Sequence, residues 1–354
     1  MAILHTYNYL AHKNIYSENG TNYKTRKIRV EISFPDCRNK STGILVLVPG
    51  YGGNIDSRVF RKMREKLADE YNMAIVQCDY FGNSFMKDII PEELNKVLEI
   101  ENILEAHIIY KQELNETVKD FNDMGLMQAL DIVSSTLCSM KLMTDNGYII
   151  EPNRVYIFGT SHGAYLAHLA NIICPGLFSG LIDISAYIYP YYMKNRRIIN
   201  VKMASPKGSK VQVRIVNEYL IMNDVSKRYN SKLYNLSFLY QNCDNKCKII
   251  AIQGTEDWMV DAEEKKDFIL QIENADIMLI TPEEVDGILC KNADHGLGID
   301  FFELFKIVIP ALDKQVKRNK KYVNLPQNVK IGNSEAYIII TYETGLPEII
   351  DLTW

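Results

Sequence analysis

The sequence predicts an α/β fold, with a doubly wound, mostly parallel sheet and helices on both faces. Short apolar runs such as residues 44–48 (ILVLV) recur along the chain and are typical of parallel strands buried on both faces. Helical segments separate these runs, and strands that alternate with helices favour parallel pairing. Glycine-rich or polar turns follow several runs. We therefore expect the functional residues at the carboxyl edge of the sheet.

The size, composition and charge of the chain limit the classes of protein to which it could belong. The 354 residues are 47% hydrophobic and carry a formal net charge of -4. We expect a single domain over 1–354, with insertions at about 83–125 and 189–246 and a C-terminal extension at 318–354. No polybasic segment indicates nucleic acid. No secretory leader, and no membrane span of roughly 18 apolar residues, is visible, and the scattered cysteines suit reduced thiols. We expect a cytoplasmic protein.

The N-terminal third is predicted to contain two outer elements and the first central strand. Residues 1–22 show little periodicity and are expected on the surface. Residues 24–34 (KTRKIRVEISF) alternate apolar and polar side chains, which indicates a half-buried antiparallel edge strand. After the central strand at 44–48, a helix is expected over 58–71 and a buried strand over 74–78.

A glycine-rich loop follows that first central strand. Residues 49–53 read PGYGG, so three glycines in four positions leave backbone N–H groups open to a ligand. The plain alternative is a tight strand-to-helix turn. The serine motif downstream favours an oxyanion loop, with Tyr51 N–H as a donor and Gly52 in contact with substrate.

The central motif lies at residues 155–170 (VYIFGTSHGAYLAHLA), a buried strand, a sharp turn and a helix of small residues. This is the G-x-S-x-G pattern in its strand-turn-helix context, and it would expose Ser161 at the tip of the sheet. A side chain at Gly159 or Gly163 would collide with the neighbouring strand or helix. The N–H of His162 is the second predicted oxyanion donor, and its imidazole is expected to be a wall residue rather than a base.

Two insertions interrupt the regular pattern. In 83–125 a helix is predicted over 92–110, and the regular helix 126–143 follows. The insertion at 189–246 is long enough to be a lid or binding element. Its basic residues form either a solvated face or a site for an anionic substrate. Four residues of this insertion are predicted to contact the substrate: Tyr189, Tyr191, Arg196 and Arg197.

The last third is predicted to complete the sheet. Strands are expected over 248–253 and 277–280, and helices over 262–272 and 301–316. An extra strand at 336–342 (AYIIITY) lies beyond the expected end of the fold. It could extend the sheet, cover its N-terminal edge or pair with a second subunit.

Ser161 needs a base and an acid, and the chain supplies both after predicted strands. A serine hydroxyl is a weak nucleophile until a base lies within hydrogen-bond reach and an acid orients that base. His295 is the histidine in a late strand-to-helix loop beside glycine, and Asp257 lies between the two in sequence. The order Ser161, Asp257, His295 predicts a catalytic triad on one edge of the sheet.

The identity of the acid stays open at this point. Asp257 is favoured, but Glu256 is adjacent to it, and Asp183 near the end of the preceding strand is the position that some hydrolases use. Asp294 is expected to cap its loop, since a residue rarely faces the ring of its own sequence neighbour.

Residues 159–186 (GTSHGAYLAHLANIICPGLFSGLIDISA) resemble the nucleophile region of the prolyl oligopeptidase branch of the α/β-hydrolases. Residues 254–260 are similar to that branch's acid loop, and 294–296 to its histidine loop. The resemblance covers about 43–317. The usual histidine of the oxyanion loop is Pro49 here, and no propeller is expected in the about 40 residues before the first core strand. The whole chain also resembles an uncharacterised family of bacterial hydrolase-like proteins found near flagellin-glycosylation genes.

These features predict a serine hydrolase that cleaves an ester or amide through an acyl-enzyme, closer to an esterase or deacylase than to a peptidase. Its partner would be a small-molecule or glycan substrate, and the C-terminal extension could form a homodimer. The mechanism needs no metal or organic cofactor. One alternative is an acyltransferase on a flagellar sugar such as a nonulosonic acid, as the second resemblance implies. The other is a non-catalytic binding protein on a hydrolase fold.

Overall fold

The computed structural model describes residues 2–11, 14–16, 26–36, 41–86, 106–190, 198–204, 211–218, 230–316 and 327–353. For the strands at 106–113, 198–204 and 211–218 it describes the backbone only.

The described strands, in chain order, are β1 (Ile3–Leu10), β2 (Lys27–Phe34), β3 (Thr42–Val48), β4 (Met73–Cys78), β5 (Ala106–Glu113), β6 (Ile150–Thr160), β7 (Gly180–Ile184), β8 (Ile198–Ala204), β9 (Val211–Glu218), β10 (Lys248–Gly254), β11 (Ala275–Ile280), β12 (Asn328–Gly332), β13 (Tyr337–Thr341) and β14 (Glu348–Leu352). The α-helices are α1 (Arg58–Tyr71), α2 (Leu126–Asp145), α3 (His162–Ile173), α4 (Leu236–Tyr240), α5 (Ala262–Leu270) and α6 (Phe301–Val316).

The main sheet of the described residues has eight strands in the order β1-β2-β4-β3-β6-β7-β10-β11. From β4 to β11 every neighbouring pair is parallel, whereas β1, β2 and β4 pair antiparallel. The predicted fold class is therefore confirmed. This order brings the carboxyl ends of β3, β6, β7 and β10 to one edge, and these strands lead into the glycine loop, the serine turn and the acid loop.

Hydrophobic side chains fill both faces of the sheet. All seven residues of β3 are buried, as its continuous apolar run predicts. Ile44 and Val46 belong to the cluster on the side of α2 and α3, and Leu45 and Leu47 belong to the cluster on the side of α1 and α6. Helices on both faces thus exclude water from the strands that carry the site.

The N-terminal edge differs from the sequence prediction. Residues 3–10 form β1, which pairs antiparallel with β2 along its whole length, so β2 is an interior strand and not the edge. Six of the eight residues of β1 are exposed. An exposed strand has no need to alternate apolar and polar residues, which is why periodicity missed it.

The helix predicted over 92–110 is wrong at its end, because residues 106–110 belong to β5; residues 87–105 lie outside the described part of the chain. β5 pairs parallel with β9, which pairs antiparallel with β8, in a separate three-stranded sheet. Ile108, Ile109 and Tyr110 are residue types that favour strands. The partner strand lies in the second insertion, so the two insertions share one sheet.

The C-terminal extension forms an antiparallel three-stranded sheet, β12-β13-β14, where one strand was predicted. It does not extend the main sheet, so that option is wrong. β12 packs against α3 and α4, and the Tyr342 hydroxyl donates to the carbonyl oxygen of Ile173 at 2.7 Å. The extension is thereby fixed to the helix that begins at the serine turn.

Among the described helices, none has the length and apolar character that crossing a membrane requires.

Candidate active site

Ser161 occupies a strained turn between β6 and α3. Its backbone has φ 53° and ψ -120°, a region that residues other than glycine seldom adopt. The Ser161 N–H donates to the carbonyl oxygen of Ile184 at 2.7 Å. The turn is thus held by the neighbouring strand β7, and it directs the side chain away from the sheet, as a nucleophile elbow does.

Three glycines allow the backbone to close around this turn. A Cβ at Gly159 would lie 2.3 Å from the carbonyl oxygen of Gly163, and one at Gly163 would lie 2.2 Å from that of Val48. A Cβ at Gly50 would lie 2.6 Å from the carbonyl oxygen of Thr160. The collisions that the sequence predicted for Gly159 and Gly163 are confirmed. The glycine loop after β3 is packed directly against the serine turn.

The structure brings the three predicted triad residues into one hydrogen-bonded line. Ser161 Oγ lies 2.7 Å from His295 Nε2, and His295 Nδ1 lies 2.8 Å from Asp257 Oδ2. The Asp257 carboxylate only accepts, so Nδ1 carries the proton and Nε2 accepts from the Ser161 hydroxyl. The side chain of Asp257 is fully buried, while that of His295 is 16% exposed. A substrate could therefore reach the imidazole but not the carboxylate.

The Asp257 carboxylate is held as an anion. Its Oδ1 accepts from the N–H groups of Met259 at 2.8 Å and Val260 at 3.1 Å, and its Oδ2 accepts from Gln253 Nε2 at 2.8 Å. Burial raises the pKa of Asp257, but the hydrogen bond and charge of His295 and these further donors outweigh burial and lower it. Asp257 is therefore ionised wherever the imidazole needs a counter-charge.

The other carboxylates proposed from the sequence do not face the His295 ring. Asp294 Oδ1 accepts the backbone N–H of His295 at 2.7 Å, which is the loop-capping role expected of it. Glu256 is exposed. Asp183 is fully buried and bonded to other partners. Of the four carboxylates, Asp257 is the one that contacts the imidazole.

The His162 side chain is buried beside Ser161 and hydrogen-bonded at both nitrogens. Nε2 lies 2.6 Å from Gln128 Oε1, and Nδ1 contacts the Tyr187 hydroxyl. Gln128 uses its Nε2 to donate to Asn122 Oδ1 and to the carbonyl oxygen of Phe81, so its Oε1 accepts from His162. Burial lowers the pKa of His162 to about 3. This imidazole stays neutral and supports the wall of the site.

The glycine loop is more closed than its composition suggests. Gly52 N–H donates to the carbonyl oxygen of Met86 at 2.8 Å, and Gly53 N–H donates to that of Gly50 at 3.0 Å. These two N–H groups are already used within the protein, so the expectation that they stand open to a ligand is wrong. Tyr51 lies between Gly50 and Gly52 in this loop, and the oxyanion role of its backbone N–H stays a prediction.

The predicted substrate contacts of the second insertion are only partly within the described residues. Tyr189 is half-buried and packs against the hydrophobic core, and its contact with substrate stays a prediction. Tyr191, Arg196 and Arg197 lie outside the described residues, so their roles stay predictions. Gln253, the donor to Asp257, was missed. The sequence held a signal, since Gln253 is an uncharged polar residue directly after the apolar run IIAI of β10 and four residues before Asp257; the structure shows that it is fully buried.

No set of three or more histidine, cysteine, aspartate or glutamate side chains within the described ranges is arranged to hold a metal ion.

Comparison with known proteins places the chain in a family and shows its fold. The family described as "protein of unknown function (DUF2920)" matches residues 20–89 and 83–335. No curated protein matches the sequence.

Solved structures with the same fold share little sequence with this chain. The acylaminoacyl peptidase of Pyrococcus horikoshii is similar with a TM-score of 0.54 and 12% identity, over 90% of this chain and 42% of the peptidase. A putative dipeptidyl aminopeptidase IV of Bacteroides ovatus is similar with a TM-score of 0.52 and 13% identity, over 89% of this chain and 36% of the aminopeptidase. Est1E of Butyrivibrio proteoclasticus is similar with a TM-score of 0.47 and 12% identity, over 83% of this chain and 96% of Est1E. The chain spans less than half of either peptidase, and the first two likenesses show the α/β-hydrolase fold.

Proposed function

We propose that this chain, which belongs to the family described as "protein of unknown function (DUF2920)", is a serine hydrolase that cleaves an ester or amide through an acyl-enzyme. The observation that carries the proposal is the line of hydrogen bonds from Ser161 through His295 to Asp257. The fold alone would not suffice, since many functions share one fold. The residue types, distances and proton positions are those that acyl transfer needs.

In the first step Ser161 Oγ attacks the acyl carbon and its proton passes to His295 Nε2. The new imidazolium faces the buried carboxylate of Asp257, which stabilises the positive charge and keeps the ring in place. When the tetrahedral intermediate collapses, His295 returns the proton to the leaving oxygen or nitrogen. The acyl group then remains bound to Ser161 as an ester.

The tetrahedral intermediate carries a negative oxygen that needs donors. The N–H of His162 is the first of α3, and the first N–H groups of a helix have no partner within the helix. With the N–H of Tyr51 it forms the proposed oxyanion site, supported by the close contact of Gly50 with the serine turn. The positive end of the helix dipole adds to this stabilisation. Loss of one such donor costs on the order of 10²–10³ in kcat.

In the second step water attacks the acyl-enzyme, its proton passes to His295, and Ser161 is regenerated. We propose an esterase or deacylase on a small molecule or glycan, with water as the acceptor. Acyl transfer to a sugar hydroxyl would differ in this step alone. Product analysis with and without an added sugar separates the two, because transfer requires an acylated sugar among the products.

Active-site labelling tests the proposal directly. A fluorophosphonate should modify the wild-type protein at one residue, and peptide mass spectrometry should place the modification on Ser161. Ser161→Ala removes only the hydroxyl and should abolish labelling, while Ser139→Ala removes a buried serine of α2 and should leave it unchanged. A folded wild-type protein that reacts elsewhere, or not at all with probes of small and large leaving groups, would contradict the proposal.

A further inference from the structure

A buried ion pair is hydrogen-bonded to the turn that follows β7. Lys265 of α5 and Asp183 of β7 are both fully buried, and Lys265 Nζ donates to Asp183 Oδ2 at 2.5 Å. Asp183 Oδ1 accepts the N–H of Ala186 at 2.8 Å, and Lys265 Nζ also donates to the carbonyl oxygen of Ala186 at 2.8 Å. The anion and the cation thus hold the two backbone groups of the same residue.

The two residues between Asp183 and Ala186 contact the proposed catalytic groups. The carbonyl oxygen of Ile184 accepts the N–H of Ser161 at 2.7 Å. The Ser185 Oγ accepts the N–H of Gly296 at 3.0 Å, and Gly296 directly follows His295. Adjacent residues of one turn therefore support the nucleophile on one side and the loop of the base on the other.

Ser185 needs this support because its own conformation is unfavourable. It is fully buried and has φ 55°, in the left-handed region that disfavours residues with a Cβ. Its N–H donates to the carbonyl oxygen of Ile252 in β10 at 3.1 Å. A strained residue persists where its surroundings fix it. Here the surroundings are β10 on one side and, on the other, the Asp183–Lys265 ion pair bonded to Ala186.

Given the function proposed above, we propose that Asp183 and Lys265 are positioning residues for that reaction. Their ion pair fixes the 183–186 turn, and the hydroxyl of Ser185 holds the His295 loop so that Nε2 stays in reach of Ser161. Neither residue contacts the reacting atoms. Their effect passes through the backbone of Ala186 and the side chain of Ser185.

Two variants and two matched controls test this role. Ser185→Ala removes the acceptor for Gly296 N–H, and Ser139→Ala removes a buried serine of α2 whose hydroxyl donates to the carbonyl oxygen of Ser135 in the same helix. The double variant D183N/K265M removes the ion pair without leaving a charge unpaired. R154M/D313N does the same to a partly buried pair between β6 and α6. If D183N/K265M does not fold, Ser185→Ala decides.

Two readouts are measured on each folded protein. The first is the rate constant with which a fluorophosphonate modifies Ser161. The second is the exchange rate of the Gly296 amide hydrogen, with that of β3 as the internal reference for global unfolding. The exchange readout does not depend on catalysis, and a role in overall stability alone would change β3 as much as Gly296.

Ser185→Ala and D183N/K265M should lower the labelling rate about tenfold to a hundredfold, since small misplacements of reacting groups cost that much. Gly296 exchange should accelerate while β3 exchange stays unchanged, and both controls should behave as wild type. Unchanged Gly296 exchange, or faster exchange without any loss of reactivity, would overturn the positioning role. If wild-type Ser161 is unreactive but Gly296 exchange responds as expected, the proposed function fails and the positioning of the loop stands.

Discussion

The described residues include two aspartate–histidine pairs with nearly the same hydrogen-bond length. His295 Nδ1 lies 2.8 Å from Asp257 Oδ2, and His168 Nε2 lies 2.9 Å from Asp183 Oδ2. The pairs differ in what else they contact. The second nitrogen of His295 faces Ser161 Oγ, whereas that of His168 faces the Tyr240 hydroxyl at 2.8 Å. One pair is open to a substrate, and the other is enclosed in the core.

The charge around each carboxylate explains the different roles. Lys265 balances Asp183, so His168 is not needed as a cation, and burial lowers the pKa of His168. Among the described residues, His295 is the one basic group within 4.0 Å of Asp257. A proton that arrives on His295 therefore completes an ion pair, while a proton on His168 would add charge to a dry, balanced cluster. The third partner of the histidine and the charge balance around the carboxylate therefore distinguish the proposed catalytic pair from the core pair.

The largest expected difference lies between the two histidines. His295→Gln removes the base and should lower kcat on the order of 10⁴–10⁶, as loss of a triad member does elsewhere. His168→Gln should keep kcat within about tenfold of wild type and instead destabilise the fold, since it disturbs a buried network. Turnover of an activated ester and urea unfolding measure the two effects. Equal loss of kcat in both folded variants would remove the distinction between the pairs.

Substitutions of the two aspartates should differ in kcat in the same direction as those of the two histidines, but by a smaller factor. Asp257→Asn should lower kcat about 10⁴-fold, because the imidazole loses its counter-charge and its correct tautomer. Asp183→Asn leaves Lys265 buried without an anion, so it should lower the free energy of unfolding by about 3–5 kcal/mol. Through the 183–186 turn it should also lower kcat, but only about tenfold to a hundredfold. Both are measured on the same preparations. If Asp183→Asn alone abolished activity in a folded protein, the acid would be misassigned.

Acid pH should lower the stability of the fold through its buried neutral histidines. The pKa of His162 is lowered to about 3 by burial, so the unfolded chain binds its proton near pH 6.5 and the folded chain does not. Stability is thus complete above pH about 6.5 and falls as the pH drops towards about 3, by roughly 1.4 kcal/mol per pH unit for each such group. His162→Gln should remove this slope for one group. Urea unfolding between pH about 7 and about 4 gives the slopes. Identical slopes in His162→Gln and wild type would contradict the assignment.

The smallest expected effect is at Gln253. Gln253→Leu removes one donor to Asp257 Oδ2, which should raise the pKa of that carboxyl and lower kcat about tenfold. The acid limb of the pH–rate profile should move to higher pH. An unchanged profile in a folded variant would show that His295 and the backbone donors suffice to hold Asp257.

The site could be predicted because its signals are local. Ser161, Asp257 and His295 each follow a recognisable strand, and each lies in a turn whose glycines and polar residues are contiguous in sequence. Helices with strong amphipathic patterns were predicted equally well, since α1 and α6 have the bounds expected from the sequence. In these elements local propensity and tertiary packing agree.

The features that the sequence did not indicate depend on partners that are distant in the chain. Lys265 stands in AEEKKDFIL, where the sequence resembles a solvated helix face, and its burial follows from Asp183, 82 residues earlier. β1 is exposed and takes its conformation from β2, and β5 takes its own from a strand of the other insertion. Periodicity reports the environment of a segment only when one face is buried, so it indicates none of these three.

Trapping the acyl-enzyme tests the central claim most directly. Asp257→Asn should slow both steps, but the activated leaving group of p-nitrophenyl acetate eases acylation and not deacylation, so prolonged treatment and an acid quench should leave an acetyl group on the chain. Fragment mass spectrometry should place that group on Ser161, and D257N/S161A should carry none there. A folded Asp257→Asn or wild-type protein that releases nitrophenol without ever carrying an acetyl group on Ser161 would contradict the account.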